Sequence, residues 1–482
     1  MLEISIILVY CFFLSFIVLF SIGQLALLIS YLLNKKNENP SIIWSTLPLI
    51  TIQLPIYNER FVIERLLDSV SRLNYPRESL EIQILDDSTD DTGFIVERKI
   101  NELSELGLNI RHITRENRQG FKAGALENGL QSASGEYVAI FDADFIPEPD
   151  FLINTIRHFI NNRIGMVQTR WAHINPKQSW LTRAQETGLN GHFTIDQIGR
   201  NKGGCFINFN GTAGIWRKSC IIDAGGWQSD TLTEDLDISY RAQMRGWIFN
   251  YQPGITSPAE LPERLSAVRS QQFRWTKGGV ETSKKLLGKL WKGKFSLRVK
   301  LFGSLHLLNN YVYAFILFSA LSSIPLMFVK NNSHEFDQFF RWNMVLIIVV
   351  IINFLYCYAS ILIDKKNKLS SLKETLTAFP IAIIISLGLS YHNTRAILQG
   401  IIGRKSVFER TPKLNKASLT DPYSKKQTLI EYLPEALLFS FFLAAVFFGI
   451  YFQDLGFLFY HGLMLTGFGT ILYHAYVEIS EQ

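Results

Sequence analysis

The chain has 482 residues, of which 48% are hydrophobic, and its formal net charge at pH 7 is +6. It is longer than one ordinary domain, and its hydrophobic residues are gathered into long runs, which excludes a purely water-soluble protein. Because the four cysteines have neither metal-ligand nor disulfide spacing, we expect buried thiols rather than a zinc site or a disulfide framework.

The first predicted element is an apolar segment at residues 4–33 that contains no charged residue. The start of the chain lacks the basic residues of a signal peptide, and no small-residue cleavage site follows, so we predict a retained membrane anchor over residues 1–36. Each of four further apolar runs reaches the roughly 20 residues that a helix needs to cross a bilayer. They cover about 302–329, 344–363, 433–452 and 456–475.

The segment after the anchor, residues 48–280, has an ordinary globular composition. Strand and helix patterns alternate through its first part, and this alternation predicts an open α/β sheet. The strands are predicted at 48–56, within 80–92, near 107–113 and at 137–142, and the helices at 59–73, 92–105 and 120–133. Ligands of such sheets bind outside the carboxyl ends of the strands.

Two of these strands end on carboxylates. Asp86 and Asp87 follow the second strand, and Asp142 and Asp144 follow the fourth. A D-x-D sequence alone can be a solvated turn, but charged groups are costly to desolvate, and two acidic strand ends at one sheet edge favour a bound cation. A set of ligands made up of oxygen atoms alone is suited to Mg²⁺ or Mn²⁺ that bridges phosphates, and not to zinc.

A basic stretch precedes the fourth strand. Arg115, Arg118 and Lys122 stand near two glycines at a predicted junction of loop and helix. Such junctions present free backbone N–H groups and positive charge to an anion. The alternative is a solvated helix start, which becomes less plausible beside a metal that binds phosphate.

Three motifs lie further along, at 209–217, 231–247 and 268–279. Each has a structural explanation when it is taken alone. Glu234 and Asp235 can be favourable charges in the first turn of a helix that Thr233 caps. The sequence "QQFRW" can be a helix turn with its tryptophan in the core.

Taken together and in this order, the motifs resemble those of the processive, membrane-embedded family 2 glycosyltransferases, such as cellulose, mannan and hyaluronan synthases. That family carries an Asp after the second strand, then D-x-D, T-E-D and Q-x-x-R-W. The corresponding residues here are Asp87, Asp142-Ala143-Asp144, Thr233-Glu234-Asp235 and Gln271-Gln272-Phe273-Arg274-Trp275. The resemblance covers essentially the whole chain, because the flanking apolar runs fit as well.

Finer details are most similar to the β-mannan-synthase branch of that family, including "LPIYNE", "ILDDSTD", "KAGAL", "FNGTAG" and "RTPK". Asn210-Gly211-Thr212 stands where cellulose synthases carry Cys-Gly-Ser, which argues against a cellulose synthase. The segment from Phe408 to Lys413 corresponds to their gating loop, F-x-V-T-x-K, and departs from it at Arg410.

The resemblance implies a GT-A fold, which is a Rossmann-like open sheet, a nucleotide sugar donor, a divalent metal (Mg²⁺ or Mn²⁺) and inversion at the anomeric carbon. It implies that Asp144 is the main metal ligand with Asp142 beside it, and that Asp235, next to Glu234, is the catalytic base. The residues implied for the donor are Pro55, Tyr57, Glu59, Asp87, Lys122, Asp142, Gln271 and Arg274. Those implied for the acceptor are Trp275, Asn210, Gly211 and Thr212, and those for the gating loop are Phe408, Thr411 and Lys413.

The positive charge is concentrated beside the apolar runs. Lys35 and Lys36 follow the first run, and the stretches 282–300 and 392–428 are strongly basic. By the positive-inside rule these segments, and the soluble domain with them, lie in the cytoplasm of a multi-pass protein of the cell membrane. Basic stretches also occur in nucleic-acid-binding proteins, but anionic lipid headgroups are the more economical partner here.

These observations divide the chain into a membrane region and a cytoplasmic α/β domain. We predict about five spans, with interfacial helices near 282–300 and 374–402, because the apolar stretch 379–391 is too short for an ordinary span. Six spans are the alternative. The borders are an anchor at 1–36, the GT-A domain at 48–280, an interfacial helix at 281–301, a membrane hairpin at 302–364, an interfacial helix with the gating-like loop at 374–428, and a second membrane hairpin at 429–482.

Three functions stay open at this point. The first is a synthase that builds a β-linked polysaccharide from GDP-mannose or UDP-glucose and translocates it through its own spans. The second is the transfer of a single sugar to a membrane lipid. The third is a transporter or scaffold with an inactive transferase domain, but the predicted spans hold almost no ionisable residues that would mark a transport path. The sequence identifies no protein partner.

Overall fold

The structure, a computed structural model, describes residues 1–34, 40–333, 335–342, 345–406 and 427–481. It consists of an α/β domain with a single mixed sheet and a helical region that includes the N-terminal helix. The predicted fold class, an α/β domain of the GT-A type joined to a helical membrane region, is confirmed.

Seven strands form the sheet. They are β1 (Ile50–Ile56), β2 (Leu80–Asp86), β3 (Asn109–Thr114), β4 (Tyr137–Ile140), β5 (Ile164–His173), β6 (Gly214–Arg217) and β7 (Ile248–Ala259). Their order is β3-β2-β1-β4-β6-β5-β7, and β6 runs antiparallel to both of its neighbours, β4 and β5. The pairs among β1, β2, β3 and β4 are parallel, so the carboxyl ends of these four strands meet at one edge.

Helices cover both faces of the sheet and build the membrane region. The first nine are α1 (Leu2–Asn34), α2 (Ile63–Ser71), α3 (Thr92–Glu105), α4 (Phe121–Ser132), α5 (Phe151–Ile156), α6 (Trp180–Gly191), α7 (Gln197–Lys202), α8 (Lys218–Asp223) and α9 (Glu234–Met244). A π turn at His192–Asp196 joins α6 to α7. The others are α10 (Leu265–Lys292), α11 (Leu297–Leu307), α12 (Val312–Asn332), α13 (Asp337–Trp342), α14 (Val345–Lys365), α15 (Lys368–Gly388), α16 (Ser390–Ile402), α17 (Leu433–Tyr451) and α18 (Leu455–Ser480).

The predicted elements of the α/β domain agree with the observed ones to within a few residues. The strand predicted at 48–56 runs from Ile50 to Ile56, and the helix predicted at 92–105 has the observed bounds. Strands β2 and β4 are buried along their whole length because helices cover both faces of the sheet. That double burial explains why their sequences are apolar up to the carboxylates at the sheet edge.

The border placed at 280 falls inside a helix. α10 runs without a break from Leu265 to Lys292, so the "QQFRW" motif and the basic stretch after it belong to one element. Gly278 allows this helix to pack closely on the α/β domain, because a Cβ atom there would lie 2.6 Å from Thr233 Cγ2. The next helix, α11, begins after Ser296, whose hydroxyl accepts a hydrogen bond from the Val299 N–H at 3.3 Å.

Six helical segments of the described chain have the length and composition to cross a membrane. They are Leu2–Asn34, Asn309–Asn332, Asp337–Lys365, Lys368–Gly388, Leu429–Tyr451 and Leu455–Ser480. The fourth of these is α15, where the sequence predicts an interfacial segment. Arg183 of α6 donates a hydrogen bond to Thr377 in the first half of α15, and Lys284 of α10 donates one to the Gly400 carbonyl near the end of α16. The pair α15–α16 therefore begins and ends beside helices that directly adjoin the α/β domain.

Candidate active site

A cavity of about 190 Å³ lies at the carboxyl edge of the sheet, against α9 and α10. It brings together residues that are up to 220 positions apart in the sequence, from Pro55 to Trp275. The predicted site residues that line it are Pro55, Tyr57, Glu59, Asp87, Lys122, Asp142, Asp144, Asn210, Gly211, Glu234, Asp235, Gln271, Arg274 and Trp275. The predictions made from four separate motifs thus meet in one place.

Thr212 differs from these residues, because it is fully buried and does not line the cavity. Its hydroxyl accepts a hydrogen bond from the backbone N–H of Asp142 at 2.9 Å. Thr212 therefore supports the D-x-D turn from behind and does not lie on the cavity wall, where the resemblance implies a contact with the acceptor sugar. Its neighbour Gly211 has φ = +80°, and a Cβ atom there would lie 3.3 Å from Asp235 Oδ2, so glycine lets the backbone approach the acidic pair.

At one end of the cavity, two side chains are held in place by arginines. Arg115 Nε donates a hydrogen bond to Asp87 Oδ1 at 2.9 Å, and its Nη2 bonds the other oxygen of the same carboxylate. The guanidinium of Arg118 lies over the ring of Tyr57, 3.3 Å from the ring centre. An aromatic ring and an oriented carboxylate together suit a nucleoside, whose base stacks and whose ribose hydroxyls donate hydrogen bonds.

Lys122 occupies the centre of the site. Its Nζ donates hydrogen bonds to Asp142 Oδ1 at 2.6 Å and to the Gly211 carbonyl at 3.0 Å, and it lies 4.0 Å from Glu234 Oε1. One ammonium group thus joins the D-x-D turn, the N-G-T turn and the start of α9. In this arrangement it contacts carboxylates, whereas the resemblance implies a contact with the diphosphate or the nucleotide of the donor.

Two carboxylates begin α9 on the cavity wall. Burial, and then the neighbouring Glu234 carboxylate, raise the pKa of Asp235 to about 7, while the charge of Lys122 opposes this shift. Burial also raises the pKa of Glu234. A carboxylate that titrates near neutral pH at a cavity wall is suited to accept a proton from a hydroxyl. The predicted capping by Thr233 is absent, because its hydroxyl pairs with that of Thr282 at 3.0 Å.

The carboxylates of Asp142 and Asp144 are the groups that can hold a cation at this edge. Within the described ranges, no three His, Cys, Asp or Glu residues are grouped as a protein-only metal cage would need. Mg²⁺ and Mn²⁺ at phosphate sites commonly take one or two carboxylates and complete their shell with substrate phosphates and water. Two adjacent carboxylates fit a site of that kind.

α10 supplies the remaining wall. Gln271, Arg274 and Trp275 are three and four residues apart, which places them on one face of the helix, and all three line the cavity. The helix is tied to the membrane region by a buried ion pair of 3.0 Å between Arg269 and Glu435 of α17. A guanidinium group and an aromatic surface are therefore presented to the cavity by an element that also contacts a candidate span.

Two residues at the end of β5, Trp171 and His173, line the cavity although the sequence analysis did not select them. β5 pairs with β7 so that His173 lies opposite Ala259. Burial, and then the charge of Arg170, lower the pKa of His173 to about 4, so this imidazole is neutral at pH 7. The sequence offers one indication of these two residues. They lie at the carboxyl end of a strand, just as Asp142 follows the end of β4.

The predicted gating residues Phe408, Thr411 and Lys413 lie outside the described residues. The described chain before them ends at Ser406. The buried ammonium of Lys277 on α10 donates hydrogen bonds to the Arg404 carbonyl and the Ser406 hydroxyl. The segment that leads to the predicted loop is thus attached two residues beyond Trp275.

Comparison with known proteins places these motifs in a family. The family model "Glycosyl transferase family 2" matches residues 51–221, and "Glycosyl transferase family group 2" matches residues 137–361. Glucomannan 4-beta-mannosyltransferase 1 of Cyamopsis tetragonoloba is 35% identical over 383 residues, which are 77% of this chain and 69% of that protein. Probable glucomannan 4-beta-mannosyltransferase 3 of Oryza sativa subsp. japonica is 33% identical over 385 residues, 78% of this chain and 68% of that protein.

Other relatives match over a shorter region. Glucomannan 4-beta-mannosyltransferase 1 of Oryza sativa subsp. japonica is 39% identical over 280 residues, 57% of this chain and 53% of that protein, so the match spans about half of its length. Among solved structures, the mannosyltransferase PcManGT from Pyrobaculum calidifontis, in complex with GDP-Man and Mn²⁺, superposes with a TM-score of 0.55. It is 18% identical and covers 84% of this chain and 100% of its own, which shows a shared fold.

Proposed function

Because the chain belongs to glycosyl transferase family 2, we propose that it is an inverting hexosyltransferase that uses a nucleotide sugar to build a β-linked polysaccharide at the membrane. The observation that carries the proposal is the single cavity lined at once by Asp87 and Tyr57, by the D-x-D carboxylates, and by Asp235 and Trp275. These groups are what a nucleoside, a diphosphate and a sugar acceptor each need.

In the proposed reaction, the carboxylate of Asp235 takes the proton from the acceptor hydroxyl, which attacks the anomeric carbon opposite to the departing diphosphate. With a pKa of about 7, the Asp235 side chain is ionised in a large fraction of the molecules at neutral pH and can still accept a proton. Glu234 and Lys122 set the charge around it. One in-line displacement inverts the configuration.

Other residues hold the two substrates. Arg274 and Gln271 on α10 bind the diphosphate, because a guanidinium fork matches phosphate oxygens. Pro55, Tyr57, Glu59 and Asp87 hold the base and the ribose. Trp275 forms the surface on which the acceptor sugar lies, with Asn210 and Gly211 beside it.

A divalent ion, Mg²⁺ or Mn²⁺, belongs to this proposal. Asp144 and Asp142 would hold it, and when bound it neutralises the charge that develops on the leaving diphosphate. The presence of Mn²⁺ and GDP-Man in the similarly folded mannosyltransferase supports this choice of ion and donor. The names of the relatives favour GDP-mannose as the donor, with UDP-glucose as the alternative.

We propose five spans, with the α/β domain on the cytoplasmic side of the cell membrane and the growing chain leaving through the helical region. The hydrogen bonds from Arg183 to Thr377 and from Lys284 to Gly400 support a re-entrant pair α15–α16 that enters and leaves on the side of the α/β domain. The basic segments beside the apolar runs support the cytoplasmic placement.

The test is a transfer assay on purified protein in nanodiscs with Mg²⁺ or Mn²⁺ and one radiolabelled nucleotide sugar at a time. Products are divided into an organic phase and an aqueous, ethanol-precipitable fraction, with Asp144→Ala as the control. Label in a high-molecular-weight fraction that a β-mannanase degrades supports the proposal. Label confined to the organic phase instead indicates a glycolipid enzyme, and no transfer from any donor by folded protein indicates an inactive domain.

A further inference from the structure

A second cavity, of about 590 Å³, lies outside the active site, between the start of α6 and the junction of α14 with α15. Four basic residues and one acidic residue line it, which leaves an excess of three positive charges on its walls. The lining residues are Lys177, Ser179, Trp180, Arg183, Lys365, Ser370, Lys373, Glu374, Thr377 and Ile381. No part of the proposed sugar transfer uses these residues.

The cationic groups differ in how far the protein already satisfies them. Lys365 pairs with Glu374, and Arg183 donates a hydrogen bond to Thr377 Oγ1 at 2.6 Å. Lys177 and Lys373 are exposed, and in the part of the chain that the structure describes neither forms an ion pair or a side-chain hydrogen bond. The cavity therefore retains two ammonium groups that can bind an anion.

Acidic groups near the cavity do not cancel this charge. Asp364 receives two hydrogen bonds from Arg170, at 2.6 and 2.7 Å, and is neutralised on the side of the α/β domain. Glu186 lies on α6 near Glu374, and burial and then that neighbour raise its pKa, while the charges of Lys177 and Arg183 oppose the shift. Basic residues thus outnumber the acidic residue on the cavity walls by three.

The cavity lies where a membrane surface is expected. The candidate span Asp337–Lys365 ends there, and the next candidate span begins at Lys368, with Lys366 between them. Trp180 is 45% exposed, and its ring meets that of His474 on α18 at 5.0 Å. Lysines at helix ends and an exposed tryptophan are typical of the headgroup layer of a bilayer.

An apolar surface continues from the cavity along α15. Leu369, Leu372 and Leu376 are 64%, 39% and 58% exposed and follow one another at helical spacing. Since successive residues of a helix are about 100° apart, Lys373 lies between this leucine stripe and the face of α15 that carries Ser370 and Thr377. A basic pocket next to an apolar stripe matches a molecule with an anionic head and hydrocarbon chains.

We propose that this cavity binds the phosphate-bearing headgroup of one anionic phospholipid, whose acyl chains lie along the leucine stripe of α15. Lys177 and Lys373 contact the phosphate, and Trp180 lies at the level of the glycerol backbone. α6 gives the site a link to catalysis, since Trp180 and Arg183 line this cavity while Leu189, at the other end of the same helix, lines the active site.

The test is native mass spectrometry of the full chain released from nanodiscs that contain equal amounts of phosphatidylglycerol and phosphatidylcholine. We expect wild type to retain one phosphatidylglycerol in preference to phosphatidylcholine. The variant Lys177→Gln/Lys373→Gln should retain it at least about tenfold more weakly, because each basic residue near an anionic surface contributes roughly a fivefold gain in affinity. Both lysines are exposed, and neither forms an ion pair or a side-chain hydrogen bond in the described part of the chain, so this variant should fold.

The matched control is Lys292→Gln/Lys294→Gln, which removes two exposed charges beside the membrane but outside the cavity. It should retain the lipid as wild type does. Equal loss in both variants would show diffuse attraction to the membrane and overturn the proposal, as would equal retention of both lipids. A single change, Lys373→Glu, provides a second variant, which should also weaken the retention of phosphatidylglycerol. Displacement of the lipid by millimolar inorganic phosphate would identify a site for free phosphate instead.

Discussion

At the scale of single residues, the start of α9 combines two carboxylates with one compensating cation. Asp235 has a pKa raised to about 7 because it is buried and adjoins Glu234, and Lys122 limits that rise. A raised pKa means that the protonated carboxyl persists to higher pH than in water. The ionised form that can act as a base is therefore present above pH 7 and is lost as the pH falls below it.

The first prediction concerns this titration. We expect kcat/KM for sugar transfer to fall tenfold per pH unit below about pH 7, since kcat/KM reports the free enzyme. Asp235→Asn should lower the rate above pH 7 by about 10²–10⁴-fold, the usual contribution of a general base, and the gap to wild type should narrow as the pH falls. The measurement is the initial rate of sugar transfer from pH 5 to 9.

The exposed Asp223, which pairs with Arg245, provides the control Asp223→Asn, which should keep the wild-type pH profile. A flat profile would contradict the assignment of the base.

The second prediction concerns Lys122. Its positive charge lowers the pKa of both Asp235 and Glu234. Lys122→Gln removes that charge, so the acidic limb of the residual activity should move to higher pH. The pH profile of the variant checks this shift. A variant with reduced activity and an unmoved limb would show that Lys122 acts on the substrate and does not tune the base.

The sequence predicts most of the residues of the site but few of their contacts. Motif order predicts Asp87, Asp144 and Asp235 as site residues, and all three line the same cavity. It gave no indication that Lys122 pairs with Asp142 or that Thr212 turns away from the cavity. Trp171 and His173 enter through the pairing of β5 with β7, which joins residues about 86 positions apart.

At the scale of secondary structure, α10 joins the chemistry to the membrane region. The same helix carries Gln271, Arg274 and Trp275, packs on α9 through Gly278, and is held to α17 by the buried pair Arg269–Glu435. The ring of Tyr432 lies 4.2 Å from the Arg269 guanidinium and adds a cation–π contact. The position of the residues proposed to bind the diphosphate thus depends on an ion pair outside the site.

The third prediction concerns that pair. Glu435→Gln leaves a buried guanidinium without its counter-charge, and breaking such a pair typically costs about 3–5 kcal/mol. We expect a clear fall in the thermal unfolding midpoint in detergent. The apolar replacement Arg269→Met/Glu435→Leu should recover most of the loss, because two matched apolar side chains carry no desolvation cost. If the double variant were less stable than Glu435→Gln, the uncompensated charge of Arg269 would not explain the loss, and the ion pair itself would stabilise the fold.

Element boundaries follow from sequence where periodicity is strong and fail where a helix changes its surroundings. β1, β2 and α3 were predicted to within two residues or better at most ends. α10 was divided at 280 because its composition changes there from mixed to basic, yet its backbone continues to Lys292. The change of composition at 280 therefore marks neither the end of the helix nor the end of contact with the α/β domain, because Lys285 pairs with Asp237 of α9 at 2.9 Å.

At the scale of the whole molecule, the number of spans is the property that composition leaves most open. α15 is long and apolar enough to cross a bilayer, yet its first half and the end of α16 both contact helices next to the α/β domain. Gly388, at the end of α15, lies against Gly467 in the middle of α18. These contacts are the ones expected of the proposed hairpin, which would reach into the helical region and return.

The fourth prediction places this hairpin by labelling. In a variant whose four cysteines are replaced, single cysteines are introduced at Lys366 and Lys405, which flank α15–α16. Glu97 marks the side of the α/β domain, and Leu455, which follows the ion pair of Lys330 with Asp454, lies on the other side when five spans cross. The measurement is reaction with a membrane-impermeant maleimide in sealed vesicles of both orientations.

With a re-entrant pair, Cys at 366 and at 405 react from the same side as Cys at 97, and Cys at 455 reacts from the opposite side. If α15 crosses the membrane, position 405 reacts from the side opposite to position 97, and position 455 reacts from the same side as position 97, because α17 crosses between 405 and 455. That outcome would move the segment after residue 406, which includes the predicted gating residues, away from the cavity that they are proposed to cover. The described bonds from Lys277 to Arg404 and Ser406 favour the first outcome, because Lys277 lies on the helix that forms the cavity wall.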